Sequence, residues 1–187
     1  MFNVQLVDLT EDRFEEALNV FIIGGWEEES LLYVKAEMRA FLKGDIEGYI
    51  RARFILATVR DKVIGVAAWA QSMCGFSVYE LSWATVVPEW RHLGINAMML
   101  QERISRIRLH HGAGKFQIIV CTWDNPMYKQ AGFAAMPAQG SRAEDRQDKC
   151  LLLAQFEALP VPVARAAGRE SVYSRPSLYG SDGFENI

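Results

Sequence analysis

At 187 residues the chain is one domain's worth, by the usual range of about 100–200 residues per domain. Half of its residues are hydrophobic, 23% are charged and 11% are aromatic, the profile of a folded domain and not of a disordered chain. With 20 Lys+Arg against 23 Asp+Glu the net charge is −3, which argues against nucleic acid or an anionic membrane as a partner of the whole surface and leaves room only for a local basic patch.

Phe2–Leu9 alternates apolar and polar residues and predicts a half-buried strand. It has no basic region and no long apolar core, so it does not read as a signal peptide. Thr10 followed by Glu11 and Asp12 starts a helix, with Phe14, Ala17, Leu18, Phe21 and Ile22 at helical spacing and Gly24–Gly25 as its end. Ser30 opens a second helix with Leu31, Val34, Met38 and Phe41 on one face and Gly44 as C-cap. Phe54–Val59, Val63–Met73 and Val78–Val87 read as three strands, the first two joined by a hairpin at Arg60–Asp61–Lys62. A turn containing Gly94 then opens a helix running to His111. Its buried face is predicted to be Ala97, Leu100, Ile104 and Ile107, with Gln101, Glu102, Arg103, Ser105 and Arg106 outward. Phe116–Trp123 is a continuous apolar strand, Asn125–Pro126 caps a very short helix ending at Gly132, and Phe133–Met136 and Lys149–Phe156 supply two last strands. The order β-αα-βββ-α-β-α-ββ makes an α/β domain with a mixed sheet flanked by helices, and strand–helix–strand in the middle makes one parallel crossover.

The cysteines Cys74, Cys121 and Cys150 are far apart, and no Cys/His cluster has metal-ligand spacing, so no metal is expected. The apolar surroundings of Cys121 and Cys150 suggest small buried hydrophobes, and the compartment reads as reducing and cytoplasmic. No apolar stretch near the start approaches the roughly 20 residues of a membrane span.

The chemistry concentrates in Tyr79–Ala97. A strand runs into a turn with Arg91 and Gly94 that opens directly into a helix, whose first N–H groups have no helical partners and suit a phosphate or pyrophosphate. There is no G-x-G-x-x-G and no Lys-Ser/Thr after the glycine, so a generic nucleotide-binding loop is the weaker reading. On strand alternation Val78, Glu80, Ser82, Ala84 and Val86 share one face, with Tyr79, Leu81, Trp83 and Val87 on the other. The first face carries a carboxylate, a hydroxyl and small side chains.

The run Val86-Val87-Pro88-Glu89-Trp90-Arg91-His92-Leu93-Gly94-Ile95-Asn96 resembles motif A of the GNAT superfamily of acetyl-coenzyme A-dependent N-acetyltransferases, and Tyr128-Lys129-Gln130-Ala131-Gly132-Phe133 resembles the family's Tyr-x-x-x-Gly-Phe element. The resemblance covers roughly residues 2–156. It implies a GNAT-like, mostly antiparallel mixed sheet, acetyl-coenzyme A as co-substrate, and an amine acceptor that is a protein or a small molecule. It places the cofactor along Val86, Val87, Arg91, His92, Leu93, Gly94, Ile95, Asn96 and Ala97, with a backbone N–H near Val86 polarising the acetyl carbonyl. Glu80 is the candidate base, with a solvated strand carboxylate as the alternative. Tyr128 is the candidate acid for the departing sulfur, with an ordinary partly buried tyrosine as the alternative. Asn96 departs from the family's Gly or Ala, and Asn125 sits too close to Tyr128 for the family's cofactor contact, so an N-cap suits it better.

Arg103, Arg106, Arg108 and Lys115, with no acid between residues 103 and 123, suggest a positive surface for the coenzyme's phosphates or simply a solvated helix face. His110 and His111 complement a helix C-terminus. The acceptor site is expected around Trp26–Leu32, where Glu27, Glu28 and Glu29 attract a cation or merely solvate a loop, and around Ala138–Arg146. The alternative to catalysis is a GNAT-shaped domain that serves as a binding or structural part of an assembly. Residues 1–160 form the predicted domain. Residues 161–187, rich in Gly, Pro and Ser yet carrying Val172, Tyr173, Leu178, Tyr179 and Phe184, are predicted to form an extended arm against the domain or a neighbouring subunit, a route to a homo-oligomer.

Overall fold

The computed structural model describes residues 3–44, 52–122, 126–136 and 150–158. Seven strands form one sheet: β1 (Val4–Asp8), β2 (Arg53–Val59), β3 (Lys62–Gln71), β4 (Val78–Val86), β5 (Gly114–Thr122), β6 (Ala134–Ala135) and β7 (Cys150–Ala158). The helices are α1 (Phe14–Ile23), α2 (Glu28–Lys43), α3 (Ile95–His111) and α4 (Pro126–Gln130), with 3-10 turns at Glu11–Arg13 and Pro88–Trp90. The spatial order is β1-β2-β3-β4-β5-β7-β6, and every neighbouring pair is antiparallel except β4 and β5. The predicted element order is observed, so the mixed, mostly antiparallel sheet flanked by helices is the fold. Asn125, Ala138–Arg146 and the predicted arm at 161–187 lie outside the described residues.

Two helical layers sandwich the sheet, and strand alternation sorts the apolar residues between them. Phe54, Ile55, Leu56 and Ala57 are all fully buried because β2 is covered on both faces. With Phe21, Val34, Met38 and Ile64 they make a first core cluster; burying each large apolar side chain stabilises by about 1.5–3 kcal/mol. A second cluster joins Trp69, Tyr79 and Leu81 to Leu100, Ile104 and Ile107 of α3, to Phe116 and Ile118 of β5, and to Tyr128 and Phe133.

The hairpin between β2 and β3 turns on Arg60 and Asp61, both with positive φ (48° and 68°). Neither is the glycine such a turn favours. Arg13 offsets this by donating to the Asp61 carbonyl at 2.6 Å and pairing with its carboxylate. Gly44 ends α2 in the left-handed conformation the sequence predicts.

Several expectations are corrected. α2 begins at Glu28 and not at Ser30, so Glu28 and Glu29 lie in its first turn, where they complement the helix dipole. Cys121 is exposed because it sits on the solvent side of β5, and Cys74 is exposed as well. Arg103 does not point outward: it is fully buried. Arg106 is bound to Glu102 at 2.7 Å and to Asp8, and Arg108 lies over the Phe156 ring. Arg103 is thereby lost to the predicted basic surface and Arg106 is paired with acids, while Arg108 and Lys115 remain exposed.

Candidate functional site

β4 and β5 run parallel and pair only from Val78 opposite Gln117 to Leu81 opposite Val120. β4 continues to Val86, while β5 stays with β7 as far as Thr122 opposite Cys150. The two central strands therefore part after Leu81, and the fork opens in the middle of the sheet. A bulge in β4 starts at the same place. Ala68 faces Ser82 but Val66 faces Thr85, so Trp83 and Ala84 share the single position opposite Ala67. Trp83 takes a positive φ of 50° there.

The bulge overturns the alternation read from the sequence. Glu80 and Ser82 do share a face, but beyond the extra residue Thr85 joins them, facing Gly24 of the α1 end, and Val86 crosses to the face of Tyr79 and Leu81. Trp83 does not pack with Leu81. It joins Phe21 and Trp26, with ring centroids at 6.4 and 5.6 Å, on the side of α1 and α2. Its indole N–H donates to Glu37 Oε2 at 2.7 Å. Burial raises the pKa of Glu37, and the Trp83 hydrogen bond partly opposes this. Sequence alone gave no sign of Glu37, because a Glu on a helix is ordinarily a solvated one.

Glu80 is half-buried, and the Ser72 hydroxyl donates to its Oε1. Ser72 Oγ in turn accepts the Cys74 N–H at 3.1 Å. The carboxylate is thus oriented by a short network at the end of β3, and no sequence motif announces Ser72. Tyr128 is on the opposite side of the sheet, in the second core cluster, 4% exposed and edge-on to Phe133 at 5.5 Å. The structure therefore separates Glu80 and Tyr128 by the thickness of the sheet, one at each face of the forked region.

Val86 and Val87 are buried, and the Val87 N–H donates to Ile64 at 3.0 Å. Arg91 Nε donates to the Val86 carbonyl at 2.9 Å and Nη2 to the Gly24 carbonyl at 3.3 Å, tying the turn to the end of α1. This Arg positions backbone as the turn stands. His92 (φ 62°) and Gly94 (φ 80°) both take left-handed conformations. A Cβ on Gly94 would meet nothing within 4 Å, so the glycine serves φ and leaves open space over the helix start. The first helical bond of α3 is Met98 N–H to the Gly94 carbonyl at 3.0 Å, and no side chain caps this end. The N–H groups of Ile95, Asn96 and Ala97 thus face outward from a 17-residue helix with no acid in its first turn. Ile95 anchors that turn in the core, Ala97 is half-buried, and His92 and Leu93 are exposed. Asn96 Oδ1 is buried without a donor. A pyrophosphate suits the N–H groups but not this acceptor oxygen.

No protein-family model matches the sequence, and no curated protein matches it. Solved structures do. A GNAT-family protein from Desulfovibrio desulfuricans superposes with a TM-score of 0.66 at 19% identity, covering 83% of this chain and 99% of that one. The PaiA N-acetyltransferase from Thermoplasma acidophilum, solved in complex with coenzyme A, gives 0.61 at 12% identity over 82% and 99%. The ribosomal-protein-S18-alanine N-acetyltransferase from Escherichia coli gives 0.57 at 12% identity over 87% and 98%. The chain has the GNAT fold. Among the described residues of this GNAT-fold protein, no three His, Cys, Asp or Glu side chains gather as a metal site, and no helix is long and apolar enough to cross a membrane.

Proposed function

We propose that this chain is an N-acetyltransferase that moves an acetyl group from acetyl-coenzyme A to a primary amine by direct attack in a ternary complex. The observation that carries the reading is the fork between β4 and β5, with a bulge at its edge and an uncapped, acid-free helix N-terminus following it in the chain. Acetyl-coenzyme A supplies an acyl thioester and an extended chain ending in phosphates. Gly94, Ile95, Asn96 and Ala97 present N–H groups to the phosphates. The backbone N–H groups of the bulge and of Val86 border the fork, where the acyl carbonyl needs polarising.

Glu80 acts as base on the side of α1 and α2. A primary alkyl amine has an ordinary pKa of about 10.4 and must lose a proton before it attacks. The Ser72 hydrogen bond fixes the carboxylate for that work. Tyr128 acts as acid on the other side, giving its phenol proton to the departing sulfur. Placing base and acid at opposite faces suits direct attack, because the amine enters from one face as the thiolate leaves toward the other. The GNAT-fold neighbours named as N-acetyltransferases, and the one holding coenzyme A, support the same chemistry.

The acceptor is read only to the level of a primary amine, on a protein or a small molecule, approaching near Trp26 and Leu32. We place the enzyme in the cytoplasm, in keeping with its cysteine content. Calorimetry with coenzyme A, and transfer from labelled acetyl-coenzyme A to amine panels and whole-cell lysate, test the reading. Binding with transfer is expected; binding without transfer would favour a docking module, and the absence of both binding and transfer would overturn the proposal.

A further inference from the structure

The proposed chemistry employs Glu80 and leaves a second carboxylate on the same side of the sheet without a task. Glu37 reaches from α2 to the β4 bulge, where its Oε2 accepts the Trp83 indole N–H at 2.7 Å. Its Oε1 has no hydrogen-bond or ion-pair partner among the described residues, and it is not sealed from solvent. No cation among the described residues balances the charge. One turn away on α2, in either direction, stand Tyr33, Val34, Ala40 and Phe41, with no Lys or Arg. Arg39 lies over the Phe14 ring at 5.4 Å, and Arg91 is spent on the Val86 and Gly24 carbonyls.

Holding Trp83 does not require a charge. Any carbonyl oxygen accepts an indole N–H, and a half-buried ionised carboxylate costs solvation. Burial already holds the Glu37 pKa above the usual carboxylate value, so this group gains by acquiring a cation. Its surroundings are aromatic. The Trp83 ring centroid lies 5.6 Å from Trp26 and 6.4 Å from Phe21, and Trp26 lies 5.4 Å from Phe21. Both indoles are half-buried, so part of each stays accessible. A carboxylate beside tryptophan rings suits an ammonium, whose N–H groups need an oxygen and whose charge is attracted to the ring faces. Glu80 precedes Trp83 on the same strand by at most about 10 Å, and Ser82 is the small side chain between them on that face.

We infer that the acceptor is an aliphatic diamine, whose reacting amine meets Glu80 while its second amine, as an ammonium, is held by Glu37 Oε1 against the Trp26 and Trp83 rings. This rests on the reading of Glu80 as the base and narrows the primary amine to one that carries a second cation. Only one end reacts. It gives a proton to Glu80 and forms the N–C bond as the C–S bond breaks, and the leaving thiolate takes the Tyr128 proton. The other end keeps its protons throughout. Glu37 is thus a specificity-determining residue that touches the acceptor away from the reacting atoms.

The test compares diaminobutane with butylamine, which lacks the second cation. Each is titrated into the full chain at about pH 7.5, where its amines are charged, and followed by the fluorescence of the 5 tryptophans. Diaminobutane is expected to bind about tenfold tighter or more. Glu37→Gln keeps an oxygen for the Trp83 N–H and removes the charge, and it should abolish that preference. Circular dichroism checks that the variant is folded. Trp26→Leu, which leaves the bond between Glu37 and Trp83 intact, serves if it is not, and should weaken diaminobutane by about threefold or more. In turnover, Glu37→Gln is expected to raise the KM for diaminobutane about tenfold, with kcat and the KM for acetyl-coenzyme A nearly unchanged and a much smaller effect on kcat/KM for butylamine. Equal affinity of the wild type for the two amines, or a preference that survives in the folded variant, would overturn the inference. Equal falls in kcat/KM for both amines would overturn it too, making Glu37 a structural partner of the bulge. If the wild-type chain transfers no acetyl group, the acetyltransferase reading falls, and the titration still decides whether Glu37 holds a second cation.

Discussion

The half of the molecule built on β1, β2, α1 and α2 and the seam built on β4, β5 and α3 solve different problems. In the first, the strand Phe54–Ala57 is buried on both faces, and its non-glycine left-handed residues are confined to a surface hairpin clasped by Arg13. In the seam, irregularity sits inside: a bulge with Trp83 at positive φ, two strands that part, and a buried guanidinium with no counter-ion among the described residues. Among the described residues, the buried polar side-chain atoms without partners, Trp69 Nε1, Asn96 Oδ1 and Arg103 Nη2, all lie on the α3 side of this arrangement or at its entrance. Local rules are kept in the first half and broken in the seam, where the proposed site lies and where a functional site is expected to break them.

The largest expected effect breaks the first half alone. Phe54→Ala deletes a side chain of 0% exposure and should cost about 3–5 kcal/mol in urea unfolding. Where the variant remains folded, its Kd for coenzyme A should stay at the wild-type value. A comparable loss of affinity would mean that the two regions are not separable. The reverse experiment is Tyr128→Phe, which keeps the ring against Phe133 and removes one hydroxyl. It should lower kcat by about a hundredfold with little change in midpoint or in coenzyme A affinity. Equal losses in stability and rate would make Tyr128 a structural tyrosine.

Gly94→Ala sharpens the boundary of the seam. No atom lies near the added Cβ, so the effect isolates φ, here 80°, at a cost of about 1–2 kcal/mol. Part of that cost should appear as weaker coenzyme A binding, since the strained residue sets the helix start. A stability loss with unchanged affinity would move the phosphate site elsewhere.

The same comparison explains what the sequence could disclose. The element order, the Gly44 and Gly24–Gly25 helix ends, and the Gly94 turn were legible because each depends on local periodicity or on one residue's backbone freedom. The face assignment failed at Trp83 because strand alternation assumes no extra residue, and nothing in Ser82-Trp83-Ala84 marks a bulge. Arg103 was misread because charge outweighs helix position in a one-dimensional pattern. Its phase, with Met99 and Ile107 at four-residue spacing, pointed inward all along. Ser72 and Glu37 were invisible because their partners, Glu80 and Trp83, are brought to them only by the folded sheet.

The smallest effect concerns the rim of the second cluster. His110 is exposed as a residue, but its ring packs on Trp69 and Tyr79 with centroids at 5.4 and 6.1 Å. Partial burial of the ring, then the charges of Arg53 and His111, hold its pKa below the usual histidine value. The unfolded chain therefore takes up this proton first. The contribution of neutral His110 to stability is complete above the ordinary value of about 6.5 and is lost as the pH falls through the lowered folded value. His110→Gln removes that proton from both states. Urea midpoints of the wild type and this variant, compared at about pH 7.5 and about pH 5.5, should differ more in favour of the wild type at the higher pH. Carboxylates that titrate in the same range cancel in the difference. Because solvent screens an exposed residue, the change should be small, and a difference that is the same at both pH values would show that His110 titrates as it does in the unfolded chain.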